Sequence, residues 1–166
     1  SSSSSYIYPE DFGPIQATGA PDSQDWNFPT CIDSTLAWAP AFQDGGFEFL
    51  DLVFDTEIRI DKLRIFENLG AGSLEMVNFA NAFYPDTPQI EYFVPYSLQG
   101  GSQPCSVLSL DIDDIGGQEW TEYGYDTVML EFDTTLSYGW NEIDAVQLIG
   151  LFDTRLGPLP SSCEYL

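Results

Sequence analysis

Phe47 to Phe54 read FEFLDLVF, and Thr127 to Asp133 read TVMLEFD. Successive side chains of an extended strand point to opposite faces, so Glu48, Leu50, Leu52 and Phe54 share one side of the first stretch. Phe47, Phe49, Asp51 and Val53 share the other. In the second stretch Val128, Leu130 and Phe132 fall on one face, and both runs are rich in strand formers. Next to the first run, IRIDKLRIFE (Ile58 to Glu67) alternates Leu63 and Ile65 with Lys62, Arg64 and Phe66. It predicts a separate second strand, stopped by the turn NLGAG at Asn68 to Gly72. Beyond it, SLEMVNF and a Pro-punctuated run holding the short strand candidate Gln89 to Val94 make the middle of the chain strands and loops. After the turn at Tyr138-Gly139, IDAVQLIG predicts a last strand. No apolar stripe at i, i+3, i+4, i+7 runs for three turns with helix formers and caps. Short strands joined by Gly/Pro loops predict an all-β, antiparallel β-sandwich.

The 166 residues include 27 Asp+Glu, 4 Lys+Arg and no His, giving a net charge of −23 and a pI near 4.1. The length suits one domain, and 43% hydrophobic residues can fill a core, which separates the chain from disordered acidic tails. Such a charge repels phosphate backbones and anionic lipid, and Arg59, Lys62, Arg64 and Arg155 make no nucleic-acid footprint. Nucleic acid and direct membrane insertion are therefore excluded as partners. No apolar run has the length of a spanning helix, and no Asn-x-Ser/Thr acceptor occurs. Without His there is no Ser-His-Asp triad, Cys-His dyad or imidazole metal site, leaving oxygen chemistry: carboxylate pairs, or Ca²⁺ held by carboxylates and carbonyls.

Three cysteines, Cys31, Cys105 and Cys163, are too few and too far apart for structural zinc. One disulfide with a spare thiol and three buried thiols are both open. An acidic, Lys-poor chain beginning with Ser reads as a mature exported product, which favours one disulfide and a secreted, extracellular or lumenal setting. Cys105 with Cys163 is the expected pair, since both lie in Ser/Pro-rich loop contexts, SQPCS and PSSCE. Ser1 to Ser5 is low-complexity and is excluded from the fold. The expected organisation is a linker or extended segment over 1–14, a sandwich over 15–150 and an extended tail over 151–166.

Five segments in order carry a resemblance: ATGAPD (Ala17 to Asp22), LAWAPA (Leu36 to Ala41), FEFLDLVF, LRIFENLGAG (Leu63 to Gly72) and GWNEIDAVQLIG (Gly139 to Gly150). Together they resemble the galactose-binding-domain-like β-sandwiches, the superfamily of discoidin, coagulation-factor type C and carbohydrate-binding modules. The stretch from Glu75 to Tyr125 departs from that pattern. The resemblance implies a jelly-roll whose loops at one end bind the ligand. It also implies, in many members, a structural Ca²⁺ where the opening segment meets the last strand.

Within GWNEIDAVQLIG, alternation puts Glu142, Asp144, Val146 and Leu148 on one face. If the aliphatic pair faces the core, both carboxylates stand at its rim, where a cation or backbone donors must satisfy them. The resemblance places the other calcium ligands in the early loop, at Asp33 and Thr35, with Asp22 nearby. The alternative is that Asn141 and Glu142 fasten loops by hydrogen bonds with no metal. Asp111, Asp113 and Asp114 have the wrong spacing for an EF-hand and read as a solvated acidic turn. For a ligand platform, Trp26, Phe28, Trp120 and Tyr123 are the candidate loop aromatics for stacking on sugar faces. Trp38 and Trp140, inside shared motifs, read as structural plugs. No carboxylate pair stands in a catalytic signature, so the chain is expected not to be an enzyme.

Two functions remain. The first is a non-catalytic module that recognises a glycan or glycoprotein surface through loop aromatics, steadied by calcium. The alternative is a structural or adhesion subunit that docks polypeptides in a protein assembly through its extended termini and acidic surface.

Overall fold

The computed structural model describes residues 1–6, 11–84, 86–95, 104–111 and 123–152. Strand β1 (Phe47–Leu69) runs unbroken for 23 residues, joining into one element what the sequence divides in two. Its first half pairs antiparallel with β5 (Tyr125–Asp133), Leu50 opposite Leu130 and Leu52 opposite Val128. Between Val53 and Ile58 the register slips. An extra residue on one strand of a pair bends it and strengthens its twist, so β1 continues into a second layer without a turn.

On the first layer, β2 (Leu74–Ala80) pairs with the other edge of β5, and β3 (Ile90–Phe93) pairs with β2. In the second, the far half of β1 lies between β4 (Ser106–Asp111) and β6 (Glu142–Phe152). The result is one curled antiparallel sheet in the order β3-β2-β5-β1-β4, with β6 also on β1. This is the all-β sandwich expected from the alternation. A short 3-10 turn, Pro14–Ala17, is the one helical element among the described residues, and no helix there is long and apolar enough to cross a membrane.

The alternation sorts the core as expected. Leu50, Leu52, Val128, Leu130, Phe132, Val77 and Phe79 from the first layer meet Leu63, Ile65, Leu108, Ile143 and Val146 from the second. Each large side chain so buried contributes roughly 1.5–3 kcal/mol. Trp38 is a plug between the layers: its backbone exchanges both hydrogen bonds with Ile143, at 2.8 and 2.9 Å, and its ring lies 5.6 Å from that of Phe132. β4 has no counterpart among the predicted strands. Asp111 ends it in an ion pair with Lys62 at 2.8 Å, while Asp113 and Asp114 lie outside the described residues.

Residues 1–5, set aside on composition, lie against the first half of β1. Ser2 bridges to Leu50, the Ser3 N–H donates to the Phe49 carbonyl at 3.0 Å, and the hydroxyls of Ser3 and Ser4 both donate to Glu48. Ser4 also accepts the Trp38 indole N–H through its carbonyl at 3.2 Å. Along its first half the edge of β1 opposite β5 offers backbone groups that no other strand takes, and an extended segment can satisfy them whatever its side chains, as residues 1–3 do.

The cysteine expectation is corrected. Cys105 is bonded to Cys31, across 74 residues of sequence, and Cys163 lies outside the described residues. Both bonded cysteines flank the end of β1. Asn68 holds the Cys31 loop by donating to the Ile32 carbonyl at 2.8 Å, and Ser106, next to Cys105, donates to Glu67 at 2.8 Å. Loop composition carried no information about that neighbourhood.

Candidate functional site

The expected ligand end of the sandwich is where β6 begins, β1 ends and residues 22–34 cross over both. The register of β6 on β1 slips twice near Glu67, so simple alternation fails there. Glu142, Ile143, Asp144, Ala145 and Val146 are all buried. Both carboxylates are therefore inside the protein and not at a rim.

Asp144 is met by three donors. Its Oδ1 accepts the backbone N–H groups of Asp22 and Ser23 at 3.2 and 3.1 Å, and its Oδ2 accepts the Trp26 indole N–H at 2.6 Å. Backbone donors and one indole thus do what a cation was expected to do. Asn68 uses both ends of its amide in the same way. Its Oδ1 accepts from Ser23 Oγ at 2.9 Å and Gln24 Nε2 at 2.7 Å, and its Nδ2 donates to Ile32 O and to Glu142 Oε2 at 2.6 Å. Glu142 Oε2 accepts in addition the Ser34 N–H at 3.2 Å.

The Glu142 carboxyl is pushed up to about 8, first by burial and then by the Asp33 carboxyl within hydrogen-bonding reach, against the pull of Asn68. A proton held on Glu142 supplies the donor that two facing carboxyls otherwise lack. Glu67, whose oxygens accept the Gly72 N–H at 3.1 Å and the Ser106 hydroxyl, is likewise raised by burial. Asn141 fastens the neighbouring loop, its Nδ2 lying 2.6 Å from Gly70 O, 2.9 Å from Ser73 Oγ and 2.5 Å from Ser137 Oγ. Gly70 has φ +61°, and a Cβ there would run into the Trp140 carbonyl; the glycine is required for this close approach.

The five expected calcium ligands do not assemble as a set. Glu142 and Asp33 meet, Asp144 is filled by N–H donors, Asp22 contributes its backbone N–H, and Thr35 is exposed. Among the described residues no three Asp, Glu, Cys or His side chains are grouped to hold a metal. The hydrogen bonds described here tie the loop of residues 22–34 to β1 and β6.

Among the described residues, Trp26, Phe28 and Tyr123 do not form one platform. Trp26 is held by Asp144 and packs edge-on against Phe66 with ring centroids 5.2 Å apart. Phe28 and Tyr123 are exposed, and Trp120 lies outside the described residues. Trp140 packs edge-on against Tyr6 at 4.9 Å, fitting its plug role. Hollows among the described residues include one of about 410 Å³ lined by Phe54, Ile58, Leu148 and Ile149, and one of about 440 Å³ beside Gly70, Tyr138 and Trp140. Neither gathers the residues chosen from the sequence.

Replacing Trp26 by Phe keeps the ring against Phe66 and removes the donor to Asp144. Hydrogen bonds to charged groups contribute about 1.5–3 kcal/mol, and a loss near the lower end of that range is expected in urea unfolding. Phe28→Ala should change stability by less than about 0.5 kcal/mol, as exposed substitutions do. Equal effects of the two would show that Trp26 does not latch the loop.

No family model matches the chain, and no curated protein is significantly similar to it. Among solved structures, it aligns with the NMR solution structure of the N-terminal domain of the single-strand break repair protein XRCC1. The identity is 16%, over 67% of this chain and 78% of that one, with a TM-score of 0.47. It also aligns with the crystal structure of reduced XRCC1 bound to the DNA pol beta catalytic domain, at 17% identity over 78% of this chain and 91% of that one, with a TM-score of 0.51. The second likeness is one of fold.

The expectation of a glycan-recognition module is thereby corrected. The solved domain sharing the fold belongs to a repair protein seen on a polypeptide, and among the described residues the loop aromatics meant for a sugar are not brought together.

Proposed function

We propose that the chain is a non-catalytic docking domain that takes its place in a larger assembly by binding another polypeptide. One observation carries the reading. Polar groups at the loop end bind one another, while large apolar side chains stand open to solvent on the strands: Phe47 is 77% exposed and Phe93 71%. Contiguous exposed apolar surface on a folded domain marks a contact with another macromolecule. The XRCC1 domain with its polymerase partner is a precedent for the fold in that role. The five sequence motifs support placing the chain with the galactose-binding-domain-like sandwiches, and the Cys31–Cys105 bond supports a compartment in which disulfides persist. The pairing of Ser2 and Ser3 with β1 speaks against residues 1–5 serving as a free docking arm.

Cross-linking of the intact chain in extracts of its native cells, read by mass spectrometry, tests the proposal. Peptides of a second, distinct polypeptide linked reproducibly to the strands are expected. Retention on a defined glycan with no polypeptide cross-link would overturn it.

A further inference from the structure

The registers of the first layer fix which side chains share its outer face. Phe49 stands opposite Glu131, Glu131 opposite Met76, and Met76 opposite Phe93, so these four form one row across β1, β5, β2 and β3. The next row, Asp51, Met129, Asn78 and Glu91, is built the same way. Phe47 and Val53 extend the face along β1. The intervening rows, Leu50-Leu130-Val77 and Leu52-Val128-Phe79-Ile90, point into the core and are buried. With strands about 4.8 Å apart, the Phe49 to Phe93 row spans about 14 Å. Its ends are open, Phe49 being 38% and Phe93 71% exposed, and Val53 is 61% exposed.

Two properties of this face identify its partner. Both methionines of the chain, Met76 and Met129, lie on it as diagonal neighbours; flexible, polarisable thioethers adapt to the contours of a docked surface. Every charged side chain on it among the described residues is negative: Asp51, Glu91, Glu131 and Asp133 intersperse the apolar groups. The described basic residues, Arg59, Lys62 and Arg64, all lie on the far half of β1. A second copy would set acid against acid, on a chain of net charge −23.

We infer that the outer face of β3-β2-β5-β1 docks a polypeptide surface on which apolar side chains alternate with Lys or Arg. The inference rests on the docking reading above and adds the face and the chemistry of the partner. Apolar burial supplies the affinity, while the acidic groups steer the encounter and reject acidic surfaces.

The test uses the intact chain and three synthetic peptides: Leu alternating with Lys, Leu with Glu, and Ser with Lys. Binding is followed by fluorescence anisotropy at low and high salt. The Leu/Lys peptide is expected to bind at least about tenfold tighter than either of the others, weakening as salt rises. Phe49→Ser with Phe93→Ser should cost about tenfold in that affinity, and Val107→Ser, on β4, should cost nothing. Both phenylalanines are outside the core, so thermal melts should stay close to the parent's. Should the double variant unfold, Glu91→Lys, an exposed single change, is expected to weaken Leu/Lys binding and strengthen Leu/Glu binding.

Equal binding of Leu/Lys and Ser/Lys would overturn the inference, since charge alone would then suffice. Leu/Lys binding that ignores the Phe49/Phe93 changes would overturn the face, and if the chain still cross-links a polypeptide in extracts the docking reading itself stands. Self-association on concentration, abolished by Phe49→Ser, would make the occupant a second copy and overturn the partner named here.

Discussion

Replacing Cys31 and Cys105 together by Ser is expected to lower stability by about 4 kcal/mol, the chain-entropy value for a link across 74 residues. The open chain gains most of that entropy when unfolded, and the effect reads directly as a lower urea midpoint with a small change in slope. A local effect should accompany it. The Cys31 loop is also held by Gln24, whose Oε1 accepts the N–H groups of Thr30 and Cys31 at 2.7 and 3.0 Å, and by Asn68. Without the covalent link these weaker ties carry the loop alone, so amide exchange over residues 22–34 should quicken more than in the β5 core. Peptide mapping of the unreduced parent should recover Cys31 joined to Cys105. Recovery of Cys105 joined to Cys163 would refute the pairing.

A second large effect is expected from pH, with a sign opposite to ordinary acid denaturation. Glu142 has an ordinary value of 4.5 and a folded one of about 8. The native protein therefore holds a proton that the unfolded chain has released. Stability from this group is complete below about 4.5, falls as pH rises towards 8, and is flat beyond, with a total on the order of 5 kcal/mol. Glu67, also raised by burial, acts in the same direction. General repulsion among 27 acids has the same sign, so the discriminating measurement is a comparison. Denaturant melts across that pH interval should fall steeply for the parent and less steeply for Glu142→Gln, which keeps the shape and needs no proton. Parallel curves would show that Glu142 is not the group responsible. Millimolar Ca²⁺ at pH 8 separates a shared proton from a shared cation at the Glu142–Asp33 pair. No rise in Tm is expected; a rise lost in Glu142→Gln would assign the pair to the metal.

Much of the sandwich was legible because its signal is local. Leu50 and Leu52 are buried and Phe47, Phe49 and Val53 exposed, as the period-2 reading requires. Val128, Leu130 and Phe132 follow the same rule. The reading failed where backbone registers slip. Val53 to Ile58 looked like a boundary between strands and is a bend within one, and around Glu67 the paired strands fall out of step, so Glu142 and Asp144 are buried beside Ile143 and Ala145. A bulge leaves no strong mark in composition. The candidate site was legible only as a place. Glu142 meets Asp33, and Asp144 meets Trp26 and the backbone of Asp22, as donors and acceptors for one another.

The sequence by itself determined the all-β class, the inward and outward sets of most strands and the acidic, His-free chemistry. Each of these follows from neighbours one or two residues apart or from composition alone. Tertiary structure decided the rest. It chose Cys31 for Cys105, placed Ser2 on Leu50, and gave Asp144 an indole 118 positions away. It also brought Phe49 and Phe93 into one row, through β5 and β2. These depend on which strands lie side by side, and that is settled by burying the whole inner surface at once, a property that no short window of sequence contains.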